Sequence, residues 1–172
     1  MSIKMYEILI FTIFIALQSA NAKNFQINEL IDEHAINCHV FSQPDSKFVR
    51  ILQDFSESTN LNVKLDKVKQ ILKIKNSSYF GIQGHQFYKT KHMEQNDLAV
   101  NFNVFDANLI KIAFQSYKTE QGESGIYYFV FKGSPVDVLY RMKKSMGHIW
   151  NIENLLEETA QGNSKLTCVY TG

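Results

Sequence analysis

The chain has 172 residues, 45% of them apolar and 13% aromatic, with only two prolines, a composition that excludes a disordered tail or a Pro-rich linker. Eighteen basic against seventeen acidic residues leave a formal net charge of +1. That is far from the strongly basic balance of a nucleic-acid-binding domain, so no nucleic-acid partner is expected.

The N-terminus reads as a secretory signal peptide. Lys4 supplies the positive region, Ile8 to Leu17 the apolar core, and Ala20-Asn21-Ala22 an A-x-A cleavage site. The apolar run is about half the ~20 residues that a membrane-spanning helix needs. Residues 1–22 are therefore expected to be cleaved, leaving 23–172 as a single α+β domain, periplasmic or secreted, with no membrane span after cleavage. A domain of this size buries about 70% of its unfolded surface. Cys38 and Cys168 are the two cysteines; in an oxidising compartment they are expected to pair, stapling an N-terminal helix to the last strand.

From Ile27 the residues Ile27, Leu30, Ile31, His34, Ala35 and Cys38 recur at helical spacing, with Asn28, Glu29, Asp32 and Glu33 on the other side, and predict a helix to about Val40. Gln43-Pro44-Asp45-Ser46 ends it, and Ser46 can cap a second short helix with Phe48, Ile51, Leu52 and Phe55 inward. A loop is expected over Ser56 to Asn60. Leu65, Val68, Ile71 and Leu72 then predict a third helix, with Lys64, Lys67, Lys69 and Lys73 forming its solvated side.

Beyond Ser77 the period changes. Tyr79 to Tyr88 predicts one strand, with Gly81 and Gly84 as bulge points. Leu98 to Phe105 and Ile110 to Gln115 alternate as strands around a three-residue loop, Asp106-Ala107-Asn108. The apolar sets stay in phase when Val104 opposes Ile110, Phe102 opposes Ile112 and Val100 opposes Phe114. Asn103 then meets Lys111 and Ala99 meets Gln115. Across the polar turn Gln121 to Gly125, the same logic sets Phe114 against Phe129, Ile112 against Phe131 and Gln115 against Tyr128.

The clearest local signal is Gly125 to Gly147. Ile126 to Phe131 form an uninterrupted apolar strand, Lys132-Gly133 ends it, Ser134 is an N-cap, and Pro135 and Asp137 suit the first helical turn. Val138, Leu139, Met142 and Met146 face inward, and Gly147 stops the helix. Ile149 to Leu156 suggest another short helix, Gln161-Gly162-Asn163 a turn, and Lys165 to Tyr170 the last strand. The predicted fold is α+β: N-terminal helices, an antiparallel β-meander with helices packed on one face, and a C-terminal strand.

The sheet face turned away from the helices would present Asn101, Asn103, Lys111, Gln115 and Tyr128, with Phe105 and Val130 as apolar neighbours. Tyrosine, amides and an ammonium on a rigid platform suit recognition of another protein; the plain alternative is the wet face of an antiparallel sheet. His34, Cys38 and His39 share a turn of helix, but no third and fourth ligand accompany them, so neither a metal site nor any other cofactor is expected. No G-x-S-x-G, H-E-x-x-H, S-x-x-K or C-x-x-C occurs, and no catalytic residue is assigned. Asn76-Ser77-Ser78 matches a glycosylation sequon. These features point to an exported, non-catalytic binding domain, of inhibitor or immunity type, whose partner is another protein of the cell envelope. The alternatives are a small envelope hydrolase using His85 or His92 with Glu94 or Asp97, and a carrier holding a small apolar ligand between sheet and helices.

Overall fold

The computed structural model describes residues 23–43, 45–56, 63–119, 122–147 and 155–171. The expected signal peptide, residues 57–60 of the expected loop, and residues 149–154 of the expected late helix lie outside them. Among the described residues two sheets and four α-helices form a mixed α+β architecture. In chain order the elements are β1 (Lys23–Gln26), α1 (Ile27–Leu30), α2 (Glu33–Ile36), a 3-10 turn (Val40–Ser42), α3 (Phe48–Ser56), β2 (Lys64–Asp66), β3 (Ile71–Ile74), β4 (Ser77–Phe80) and β5 (Gly84–Lys89). There follow β6 (Met93–Val104), β7 (Ala107–Thr119), β8 (Gly122–Phe131), α4 (Pro135–Met146), β9 (Leu156–Glu158) and β10 (Ser164–Thr171). The smaller sheet runs β1-β4-β3-β2, with β1 parallel to β4. The larger is antiparallel throughout and runs β5-β6-β7-β8-β10-β9.

The first predicted helix is two short ones, because Asp32 divides it. Its backbone is extended, and its carboxylate accepts from Ala35 N at 2.9 Å as the N-cap of α2. The same carboxylate accepts from Ser46 Oγ at 3.0 Å and Lys47 N at 2.9 Å, so the Ser46 hydroxyl braces Asp32. In α3 the four expected residues Phe48, Ile51, Leu52 and Phe55 are all buried.

The third predicted helix is instead the β2–β3 hairpin. Leu65 opposes Leu72 and Lys64 opposes Lys73, so an apolar set that mimics helical spacing is a cross-strand pair with a turn between its halves. Asp66 makes the turn: its Oδ1 accepts from Val68 N at 3.1 Å and Lys69 N at 3.0 Å, and Gln70 takes a left-handed φ of 54°. Val68, assigned to a helical core, is 94% exposed at the turn. The single strand expected over Tyr79 to Tyr88 likewise divides at Gly81 (φ 89°), sending β4 and β5 to different sheets.

The β6–β7 turn is the two-residue Phe105-Asp106, both at positive φ (47° and 62°), with Val104 opposite Ala107. Register irregularities between Ala99 and Phe102, and again between Leu109 and Lys111, follow. Beyond them Ile112 opposes Leu98 and Phe129, and Phe114 opposes Asn96 and Tyr127. The β7–β8 pairing is two residues off the expected one. An even slip exchanges partners but keeps each side chain on its face, so the apolar side is still Leu98, Ile112, Phe114, Tyr127, Phe129 and Phe131, all buried.

That side packs against the helices. Phe48 lies 5.1 to 5.9 Å from the rings of Tyr127, Phe129 and Phe114, and Phe55 stacks on Phe114 at 4.6 Å. Val138 and Met142 of α4 join the same cluster. Ser134 caps α4, accepting from Asp137 N, and Gly147 at φ 73° ends it. Cys38, just past α2, is bonded to Cys168 on β10, with Cα atoms 5.1 Å apart. Among the described residues no helix is long and apolar enough to cross a membrane.

Candidate functional site: the outer face of the six-stranded sheet

Residues opposite one another in an antiparallel sheet share a face, so the register builds the outer surface row by row. One row holds Tyr88, Gln95, Gln115 and Ile126; the next Gln86, Asp97, Ala113, Tyr128 and Thr167; a third Gly84, Ala99, Lys111, Val130 and Lys165. Their side chains are joined. Tyr117 Oη donates to Gln115 Oε1 at 2.9 Å, Gln115 Nε2 to Gln95 Oε1 at 2.6 Å, and Gln95 Nε2 to Asp97 Oδ1 at 2.6 Å and Tyr128 Oη at 2.9 Å. Lys111 Nζ donates to Asp97 Oδ2 at 2.9 Å. Lys165 Nζ stands 4.5 Å over the Tyr128 ring, a cation–π contact.

Asp97 is the hub. It is only 6% exposed, and Lys111 compensates its charge. Tyr128, 8% exposed, has its hydroxyl pushed up to about 12, first by burial and then by the Asp97 carboxylate. It is therefore neutral across the physiological range, and the array offers hydrogen bonds beside the charges of Asp97 and Lys111. At the border, β5 is the sheet's edge strand, where Tyr88 is 46% exposed on this face and its Oη donates to Gln86 Oε1 at 2.6 Å, while Phe87 projects from the opposite side.

Comparison with known proteins yields no relative. No protein-family model matches the chain, and no curated protein or solved structure is similar to it.

Of the five expected surface residues, the structure brings Lys111, Gln115 and Tyr128 into this array. Asn101 and Asn103 lie beyond the register irregularities, towards the β6–β7 turn; Asn101 Oδ1 accepts from Asn108 Nδ2 at 3.0 Å, and Asn103 opposes Asn108. The sequence reading missed Gln95, Tyr88, Tyr117 and Lys165, and it named Asp97 only as a partner for a catalytic histidine. Their signal was present: Gln95, Asp97 and Ala99 alternate with Asn96, Leu98 and Val100, extending the strand upstream with one side polar.

The histidines fall elsewhere. His85 opposes Leu98 and its Nε2 is 2.9 Å from Asn96 Oδ1, on the side facing the core. Exposed His92 is in the β5–β6 turn, and neighbouring Glu94 is paired with Lys89. Among the described residues no three His, Cys, Asp or Glu groups are placed to hold a metal ion, and the disulfide occupies the Cys38 thiol.

Proposed function

We propose that this is an exported, non-catalytic binding protein that recognises another protein of the cell envelope through the outer face of its six-stranded sheet. The observation that carries the reading is the hydrogen-bonded array Tyr117–Gln115–Gln95–Asp97–Lys111 with Tyr128 at its centre. Ordering amides and long side chains costs about 0.5–1.5 kcal/mol each at an interface. In this array that cost is met within the free protein, which leaves a preorganised surface. Tyr88 adds exposed aromatic area along its border, the residue type that anchors protein interfaces. The disulfide suits a periplasmic or secreted location after removal of residues 1–22.

Lys111 is a poor probe of this face, since Lys111→Glu would set two carboxylates together. Tyr88→Ala with Tyr117→Ala trims the array at its border. Tagged protein crosslinked in cell envelopes should capture one stoichiometric protein, lost with the double variant at unchanged thermal stability. Equal capture by both forms would remove this face from the reading, and capture of nothing by either would overturn it.

A further inference from the structure

A second candidate site lies away from the six-stranded sheet. β1, α1 and the start of α3 enclose an open cavity of about 490 Å³ whose walls include Lys23, Phe25, Glu29, Leu30, Lys47 and Arg50, a size within the ordinary range of small-molecule sites. Three cations face one carboxylate there. The Arg50 guanidinium lies 6.0 Å from the centre of the Phe25 ring, which stacks on Tyr79 at 5.5 Å. Phe25 is thus a fixed wall between an aromatic ring and a cation. Arg50 is half-buried, and its Nε is a buried donor without a hydrogen-bond partner among the described residues. Such a group is costly unless an acceptor or a counter-charge relieves it.

We propose that this cavity binds a small organic carboxylate with an apolar body. The anionic end meets Arg50 and Lys47, a fork and a point charge suited to a carboxylate. The apolar end lies against the exposed part of the Phe25 ring, Leu30 being only 5% exposed, and this wall offers nothing to a purely inorganic anion. Glu29 is the one carboxylate among the described lining residues, so a neutral apolar ligand gains nothing from Lys23, Lys47 and Arg50.

Calorimetric titration of the purified protein with octanoate, 1-octanol and inorganic phosphate tests this. Octanoate should bind at one site per chain, with 1-octanol and phosphate each at least about tenfold weaker. Arg50→Gln should weaken octanoate at least about tenfold, the loss expected for a charged hydrogen bond. Lys47→Gln, which alters an exposed side chain, should weaken it by a smaller factor. No saturable octanoate binding at millimolar concentration overturns the proposal, as does equal affinity for octanoate and 1-octanol, or phosphate binding as tight as octanoate. If Arg50→Gln melts at a markedly lower temperature, Lys47→Gln decides: unchanged octanoate affinity in that variant overturns it.

Discussion

Reducing the Cys38–Cys168 bond should remove about 5 kcal/mol of stability. The bond closes a loop with a sequence separation of 130. In the chain-entropy model such a closure withholds about 17 cal/mol/K from the unfolded chain, or about 5 kcal/mol at 25 °C. Reduction isolates this effect better than mutation does. Both sulfur atoms remain, so the buried Cys168 site beside Ala35 leaves no cavity of the kind that would add its own cost. Urea titration with and without reductant is the assay. With a slope of about 2 kcal/mol/M, the midpoint should fall by about 2.5 M on reduction, and the slope should rise because the unlinked chain exposes more surface. A midpoint shift below about 0.5 M with an unchanged slope would refute the reasoning, since the loop would then not be restricting the unfolded state.

Two further outcomes follow from particular contacts. Tyr79, Tyr127 and Tyr128 all have hydroxyls pushed up, chiefly by burial, Tyr128 to about 12 from the ordinary 10.0. The unfolded chain therefore loses these protons first: the stability they provide is intact below pH 10 and drains away as pH rises towards the folded-state values. Tyr128 alone would contribute a loss of about 2 kcal/mol by pH 12; phenolate absorbance from these three appearing near pH 10 in still-folded protein would contradict this. Gly125 opposes Tyr170, and a Cβ there would collide with the Tyr170 ring. Gly125→Ala should cost about 1–3 kcal/mol, and much less in a Tyr170→Ala background; additivity within about 0.5 kcal/mol in the double-mutant cycle would dismiss the collision.

The parts of the fold that are legible in the sequence are those where independent local signals coincide. Between Gly125 and Gly147 an apolar run, an N-cap serine, an N-terminal proline and a terminal glycine agree, and the β8–α4 unit is found where they place it. Several of the misreadings share one physical source. Cys38, Gln70, Lys75, Phe105 and Asp106 all have positive φ without being glycine. A reading that looks for glycine or asparagine at such points passes over these reversals. It therefore places the β6–β7 turn at Asp106-Ala107-Asn108 instead of Phe105-Asp106, and runs a helix through Gln70. Asp32 and Asp66 misled in another way: each uses its carboxylate to end one element or begin the next, while its charge reads as an ordinary solvated face.

The surface site was partly legible because strand geometry forgives some errors and not others. The β7–β8 pairing was misplaced by two residues, an even number, so Lys111, Gln115 and Tyr128 stayed on the outer side and met in the array. Asn101 and Asn103 were separated from them by irregularities between Ala99 and Phe102 that no glycine marks. The larger loss came from starting β6 at Leu98, since the strand begins at Met93 and its first half carries Gln95 and Asp97. Asp97 takes hydrogen bonds from Lys111 and Gln95 and raises the Tyr128 hydroxyl, so three of its neighbours owe their placement or protonation to it. A lone carboxylate on one side of a strand is a weak periodic signal but a strong electrostatic centre once neighbouring strands flank it. The rows of the sheet, more than the composition of any one strand, therefore define the face that a partner would meet.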